Sequence, residues 1–223
     1  MLTYMVTAGS GAGFWVIATR LTSSEEIGFA SSTIASAMLL ATISTLGLPH
    51  ALVRYIPTMQ NSVSDLINSA FVLSGVTACA VAAVFLLGIN WWAPSLSSLR
   101  DDPYLAICFV VFTLGVTLGP FMLLHTFMAF RQGRMVLIEG ALEGVLKLVL
   151  IATLAGALGG MGVLSAWGFP VALAFLFGVL VLFPKVYGQY SPRLVFRLNV
   201  IRKIWRFCVA SYVSDLAWFT PGI

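Results

Sequence analysis

The stretch GFASSTIASAMLLATISTLGLPHALVRYIP, residues 28–57, contains a membrane-length helix and the basic turn that follows it. Residues 28–52 include no charged side chain. A helix over these 25 residues is about 37 Å long, which is enough to cross a hydrocarbon layer of about 30 Å. Arg54 and Tyr55 then suit the headgroup zone. The stretch therefore predicts a spanning helix that ends on the cytoplasmic side.

Composition is typical of a polytopic helical membrane protein. Of the 223 residues, 60% are hydrophobic and 9% are charged, whereas soluble domains average about 25% charged residues. The mean hydropathy is +1.00. The net charge of +4 comes from basic residues in a few loops, a distribution that indicates membrane topology. We therefore expect the lipid bilayer as a partner and exclude nucleic acid.

The sequence contains none of the patterns typical of a soluble enzyme, such as Gly-x-Ser-x-Gly, a phosphate loop or His-Glu-x-x-His. Cys79, Cys108 and Cys208 lie far apart in apolar runs, without metal or redox spacing. His50 and His125 lie near helix ends and suit hydrogen-bonded structural roles. The sequence thus predicts no catalytic residue, no metal site and no cofactor.

The apolar runs predict an all-α bundle of about seven transmembrane helices. The predicted helices are 1–19, 28–52, 66–89, 104–130, 135–158, one from the glycine-rich turn 159–162 to Phe183, and one that begins near Phe207. Residues 185–206 are predicted to form a basic cytoplasmic loop, whose second half, 194–206, suits a helix on the membrane surface. Because the last helix stops without a polar tail, we expect the chain to be truncated.

Several local signals refine this prediction. Ser23 precedes Glu26 by three residues, the spacing of a capping box that starts a helix. The small residues of 8–13 favour tight helix packing, with a hinge or a cavity wall as the alternative. Pro120 and Pro170 are expected to kink their helices.

Basic residues alternate between loops in a way that sets the orientation. The loops after the second, fourth and sixth helices hold nine basic residues, and the opposite loops hold Arg20 and Arg100. Since basic loops stay in the cytoplasm, we expect the amino terminus to be cytoplasmic in the cell (inner or plasma) membrane. Gln60, Arg131 and Pro192 should then face the cytoplasm, and Ser97 should face outward.

The fifth predicted helix carries Glu139, Glu143 and Lys147 at intervals of four residues, so all three lie along one face. Lys147 is about 18 Å from the start of the helix, near the middle of the membrane. Each buried charge there costs roughly 2.5 to 3.5 kcal/mol on insertion scales and requires pairing or water. Two interpretations follow: a Glu143–Lys147 pair that locks neighbouring helices, or a wet cavity that meets a charged cargo or a coupling ion.

Two further charged residues are candidates for the same cavity. Asp215 is an isolated carboxylate in the last predicted helix, and Arg54 closes the second. Neither has a charged neighbour at helical spacing.

Three segments of the sequence resemble a known transporter family. They are Ala-Thr-Arg-Leu at 18–21 with Ile-Gly-Phe-Ala at 27–30, Thr-Leu-Gly-Leu-Pro-His-Ala-Leu-Val-Arg-Tyr-Ile-Pro at 45–57, and Arg-Gln-Gly-Arg at 131–134 before a helix with Glu139. They are similar to the amino-terminal half of the polysaccharide and lipopolysaccharide biosynthesis flippases. The superfamily also includes the multidrug and toxic compound extrusion transporters and the lipid II flippase.

The resemblance implies two pseudo-symmetric lobes around a central cavity. Residues 1–184 would form the first lobe with six helices, and residues 207–223 would begin the seventh helix. Members carry oligosaccharides linked to polyprenyl diphosphate from the cytoplasmic to the outer leaflet, and use basic residues for this anionic cargo. Lys147 is the position that matches this role. A second lobe and a basic stretch before the first helix, both usual in the family, do not occur in this sequence.

Other functions stay open at this point. A cation-coupled multidrug exporter, driven by protons or sodium, would depend more on Glu139, Glu143 and Asp215 than on Lys147, and a lipid II flippase would share the same architecture. A membrane-embedded glycosyltransferase or ligase would need catalytic residues in a large outer loop, and the predicted outer loops are short. A purely structural membrane scaffold is the last alternative.

Overall fold

A computed structural model describes residues 2–59, 62–188, 190 and 193–219, which form an all-α bundle. Its α-helices are α1 (Leu2–Leu21), α2 (Ser24–Ser44), α3 (Leu48–Tyr55), α4 (Val63–Leu87), α5 (Ile89–Trp92), α6 (Ser98–Asp101), α7 (Pro103–Val116), α8 (Leu124–Ala129), α9 (Gly133–Phe177), α10 (Phe183–Val186) and α11 (Leu198–Phe219). A short 3₁₀ helix lies at Pro94–Leu96, and π-helical turns lie at Thr117–Leu123 and Gly178–Leu182. Gln60 and Pro192, two of the predicted cytoplasmic positions, lie outside the described residues.

Among the described residues, four helical stretches are long and apolar enough to cross a membrane. They are Ser24–Ser44, Val63–Leu87, Pro103–Ala129 and Gly133–Val186. Large apolar side chains on their outer faces are exposed, including Val76, Val84 and Leu180, as lipid-facing positions should be. The chain is therefore a multi-pass membrane protein, and the predicted count of about seven spanning helices is not confirmed.

The connection between α1 and α2 follows the predicted capping box. The Ser23 hydroxyl accepts a hydrogen bond from the Glu26 backbone N–H at 3.3 Å, and Glu26 Oε2 accepts one from the Ser23 N–H at 3.0 Å. These reciprocal bonds satisfy backbone donors that a helix start leaves free. The prediction of a helix start at this place is confirmed.

The prediction of one helix over 28–52 is wrong, because the chain breaks between α2 and α3. Leu46 and Gly47 have positive φ angles of 52° and 71°. A β-carbon on Gly47 would lie 2.2 Å from the Cys208 carbonyl oxygen of α11. The break therefore lets the α11 backbone cross at a point where no side chain fits.

The long helix α9 folds back at Gly159, where φ is 54° and ψ is −134°. Its halves are residues 133–158 and 160–177, and they lie side by side beyond the turn: a β-carbon on Gly162 would lie 2.2 Å from the Leu154 carbonyl oxygen. The predicted boundary between two helices at the glycine-rich turn is confirmed. Pro170, where we expected a kink, keeps helical dihedral angles.

Pro120 lies inside the first π-helical turn, which joins α7 to α8. Since proline has no backbone N–H, it removes a hydrogen bond of the regular helix, and a π-helical turn is one way in which a helix absorbs this loss. The helix is thus irregular at Pro120, the position where the sequence predicts a kink. The second π-helical turn contains no proline, and the sequence did not predict it.

The basic segment and the last helix are not separate elements. We expected a surface helix over 194–206 and a new helix from Phe207, but α11 runs without a break from Leu198 to Phe219 and packs against α3 and α4. Ile201, Ile204 and Cys208 face the core, and their spacing of three and four residues continues across the predicted boundary. The change in composition near Phe207 therefore does not mark a helix boundary.

Candidate functional site

The predicted charged face of α9 lies in the interior of the bundle. Glu139 is 4% exposed and Lys147 is 8% exposed, and the Glu143 side chain is 20% exposed. The spacing of four residues therefore aligns the three groups as predicted, one above the other on the first half of α9. Buried charges of this kind are costly in a membrane protein and require compensation.

Lys147 has two partners. Its Nζ atom lies 2.5 Å from Glu143 Oε1 on the same helix and 3.7 Å from the ring centroid of Trp167 on the second half of α9. A cation over an indole face is attracted by the ring quadrupole, most strongly where water is excluded. The lysine charge is thus held between a carboxylate and an aromatic ring.

Trp167 belongs to an aromatic cluster with α1. Its ring lies 5.1 Å from the Phe14 ring and 6.1 Å from the Trp15 ring. Sequence reasoning missed Trp167, because only the fold of α9 at Gly159 brings a residue 20 positions away to Lys147. The glycine-rich turn was the one available signal, since an antiparallel pair of helices about that turn places these positions side by side.

Close packing of α1 on α9 encloses the pair. A β-carbon on Gly144 would lie 2.8 Å from Ser10 Oγ, and one on Gly13 would lie 3.2 Å from a Leu148 methyl group. Small residues thus bring the two helices together beside Lys147. This agrees with the tight-packing interpretation of residues 8–13, although Gly9 and Gly11 have open space beside them.

Glu139 differs from Glu143 because its carboxylate lacks full compensation. Within the described part of the chain, its Oε2 atom is buried without a hydrogen-bond partner. A β-carbon on Gly178, the first residue of the second π-helical turn, would lie 3.7 Å from Glu139 Oε1. The acid therefore faces an irregular backbone segment, and a buried polar atom without a partner is unusual in a native structure.

Asp215 does not join the α9 face but pairs with α3. Its Oδ1 atom lies 3.0 Å from His50 Nε2, and the His50 ring lies 5.7 Å from the His125 ring of α8. His125 Nδ1 lies 2.6 Å from the Phe121 carbonyl oxygen, a contact in which the ring nitrogen donates. The prediction of hydrogen-bonded histidines is confirmed, and Asp215 belongs to a second polar group between α3, α8 and α11.

Arg54 lies in neither polar group. Its guanidinium carbon lies 4.5 Å from the Phe207 ring centroid of α11 and 5.6 Å from the Tyr55 ring centroid. An arginine over aromatic faces contributes to the packing of helices. The structure therefore does not bring Arg54 to Lys147.

A third polar group ties the basic segment to α4, and sequence reasoning did not identify it. Arg197 Nε lies 3.0 Å from Asp65 Oδ1, and the Arg197 backbone N–H donates to Ser69 Oγ at 2.9 Å. Asn68 Oδ1 accepts hydrogen bonds from the Tyr190 hydroxyl at 2.7 Å and from the Arg193 backbone N–H at 3.3 Å. Burial raises the pKa of Tyr190 to about 12, so its hydroxyl keeps its proton at neutral pH.

Long apolar helices with buried charges on an inward face define a multi-pass membrane protein built around interior polar groups. Within the described residues, no group of three or more His, Cys, Asp or Glu side chains could hold a metal ion. The sequence profile described as polysaccharide biosynthesis protein matches residues 1–220, and the chain belongs to this flippase and exporter family. Members are usually transporters rather than enzymes. No curated protein and no solved structure matches the chain.

Proposed function

We propose that the protein moves an oligosaccharide linked to polyprenyl diphosphate from the cytoplasmic to the outer leaflet of the cell membrane, for the synthesis of surface polysaccharide. Family membership supports transport. The observation that supports an anionic cargo is the buried lysine, Lys147, on the interior face of α9. A diphosphate that crosses a low-dielectric region needs a cation there, and Lys147 supplies one.

The pairing with Glu143 is compatible with this role. A lysine next to a carboxylate is neutral as a pair, so the empty site buries no net charge. The cargo diphosphate then replaces Glu143 as the partner of Lys147, and Trp167 holds the ammonium in place through its ring face. A cation held in this way binds an anion reversibly, which transport requires.

The proposed direction of transport follows from the distribution of the basic loops. Arg131 is exposed and Arg134 follows at the start of α9, and both belong to the basic set that we assign to the cytoplasm. With the amino terminus also cytoplasmic, the cargo is loaded from the leaflet where its precursors are made. Pseudo-symmetric transporters form their sites between two lobes, and α9 would contribute one wall of the site.

Glu139 suits a coupling ion better than it suits the anionic cargo. Its unpartnered, buried oxygen atom can bind a proton or take part in sodium binding, either of which removes the cost of an isolated charge. The same observation favours the second candidate function, a cation-coupled multidrug exporter of the same superfamily. The two candidates differ in whether Lys147 or Glu139 carries recognition of the cargo.

Expression of the full-length protein in a cell that lacks its own polysaccharide flippase tests the proposal. We expect restored surface polysaccharide and unchanged resistance to cationic drugs, with both readings normalised to membrane abundance. Lys147→Leu should abolish the restoration, whereas the matched control Lys203→Leu, at an exposed position on α11, should preserve it. Increased drug resistance without polysaccharide export would overturn the proposal in favour of the drug exporter.

A further inference from the structure

A groove separate from the charged face of α9 opens on the side of the bundle where α4 lies next to the two π-helical turns. Its volume is about 540 Å³, within the range of roughly 300 to 1,000 Å³ that is usual for ligand sites. Its walls are apolar and come from α4, from α7 with the first π-helical turn, and from the second π-helical turn with α10. They include Phe71, Val72, Val76, Leu118, Val179 and Phe183.

One end of the groove is polar and the rest is not. Asn68, Tyr190 and Arg193 line that end, and the Asn68 side chain holds the Tyr190 hydroxyl and the Arg193 backbone in place. The Arg193 side chain is exposed, and in the described part of the chain no carboxylate lies within ion-pair distance of it. Arg197 nearby is already paired with Asp65. The polar end of the groove therefore presents the Arg193 guanidinium, without an ion-pair partner among the described residues, next to apolar walls.

The length of the groove matches one leaflet. It follows α4 from Ile67 to Cys79, a distance of about 18 Å at the helical rise of 1.5 Å per residue. Half of a hydrocarbon core of about 30 Å is about 15 Å. A chain that enters at the polar end thus reaches the middle of the membrane where the groove ends.

The rim at the polar end also carries exposed apolar side chains. Leu194 lines the groove next to Arg193 and is 97% exposed, and Phe196 is 46% exposed. Apolar side chains between arginines are typical of segments at the membrane surface, where the apolar groups enter the acyl region and the charges remain among the headgroups. This rim therefore lies at headgroup level.

We propose that the groove binds one anionic glycerophospholipid, with an acyl chain along α4 and the lipid phosphate at the Arg193 guanidinium. The apolar walls accept the chain, and the uncompensated positive charge at the mouth selects an anionic headgroup. The bound lipid fills the space between α4 and the two π-helical turns. The site is separate from the cargo site on α9 and does not depend on the cargo.

Native mass spectrometry of the delipidated full-length protein, titrated with phosphatidylglycerol or phosphatidylcholine, tests this site. Arg193→Gln should weaken phosphatidylglycerol binding about fivefold, the effect of one basic residue near an anionic surface. It should change phosphatidylcholine binding little. The control Arg202→Gln, at an exposed position on α11, should change neither. Equal losses in the two variants would mean that surface charge alone attracts the lipid, and the proposal would be wrong.

A second pair of variants tests the channel. Val72→Trp fills the groove and should weaken the binding of phosphatidylglycerol about tenfold. Excluding only two methylene groups of the acyl chain from the groove is enough to lower the affinity by that factor. Val84→Trp places the same side chain on the exposed face of α4 outside the groove and should have no effect. Size-exclusion profiles identify any variant that fails to fold, and Arg193→Gln, at a surface position, remains a test in that case. If Val72→Trp weakens the binding of a polyprenyl phosphate and leaves phosphatidylglycerol unchanged, the occupant is a polyprenyl tail and the proposal fails.

Discussion

Lys147 sits between two partners that stabilise a buried ammonium in different ways. Glu143 neutralises its charge, and the Trp167 ring offers a polarisable face at 3.7 Å. A membrane interior provides little other compensation, so both partners contribute to holding the charge at this depth. Glu143, which the sequence predicts as a partner, and Trp167, which it does not, therefore both contact the Nζ atom of Lys147.

A double-mutant cycle measures this contact. Trp167→Leu should destabilise the full-length protein in detergent more than Trp167→Phe, which keeps a ring, and this difference should become smaller in a Lys147→Leu background, where only the packing against Phe14 and Trp15 remains. The expected coupling is about 0.5 to 2 kcal/mol, the range of cation–π contacts from exposed to desolvated sites. Thermal unfolding monitored by tryptophan fluorescence gives the four values.

Trp205→Leu is the matched control for that cycle. Trp205 lies on α11 with 48% of its surface exposed, and it should show no coupling to Lys147. A coupling energy near zero between Trp167 and Lys147 would contradict the contact, whatever the cost of each single substitution.

At the level of single helices, apolar length predicts where a helix lies but not where it breaks. The runs 66–89 and 104–130 correspond to α4 and to the stretch from α7 to α8 within a few residues. The prediction of one helix over 28–52 was wrong because the absence of charge over the whole run gave no sign of the break at Leu46 and Gly47. Gly47 and the following proline were visible signals, but the reason for the break is the passage of α11, a contact with a residue 161 positions further along the chain.

For the charged face of α9, the sequence likewise predicts the arrangement within one helix but not the contacts with other segments. Its alignment follows from a spacing of four residues on one helix, so the sequence was sufficient to predict it. The lack of a partner for Glu139 Oε2 has a different origin. It depends on the segment that faces Glu139 after the chain folds back at Gly159, and that segment is the second π-helical turn. Nothing in the composition of 178–182 marks a π-helical turn. The contacts of Asp215 with His50 and of Arg54 with Phe207 could not be predicted either, because they join different helices.

The turn within α9 gives a prediction for that element. Gly159→Ala should destabilise the protein by at least about 1 to 3 kcal/mol, because φ of 54° with ψ of −134° is a region that only glycine adopts readily. The new β-carbon would also collide with the Glu26 carboxylate. Thermal unfolding and membrane abundance of the variant check this expectation.

Gly156→Ala is the control in the same helix. A β-carbon there meets no atom within 4 Å, so its effect should stay within about 1 kcal/mol, the usual difference between glycine and alanine in a helix. Equal stability of the two variants would show that α9 does not fold back at Gly159.

At the level of the whole molecule, the distribution of basic residues predicts which side faces the cytoplasm. In a variant without native cysteines, a cysteine at exposed Arg131 should react with a membrane-impermeant thiol reagent only after the cytoplasmic face is opened. A cysteine at exposed Ser98, next to Ser97, should react from outside. Labelling in intact cells and in inside-out vesicles gives both readings, and the reverse pattern would overturn both the orientation and the direction of transport.

We propose that the charge of Lys147 meets an anionic cargo rather than only neutralising Glu143. Removing both members of a buried pair is often neutral for stability, whereas removing one leaves the other without a partner. The double variant Glu143→Leu, Lys147→Leu therefore separates a packing role from a cargo role. Lys147→Arg should keep partial activity, since the charge remains while its shape and reach differ.

The decisive measurement is the movement of a lipid-linked oligosaccharide across the membrane of vesicles that contain the full-length protein, normalised to the amount of folded protein. We predict that the double variant and Lys147→Leu alone are both reduced about tenfold or more, the effect of losing one hydrogen bond between charged groups. Translocation by the double variant near the unmodified level, with loss only in the single variant, would rule out a cargo role for Lys147 and assign the pair to helix packing.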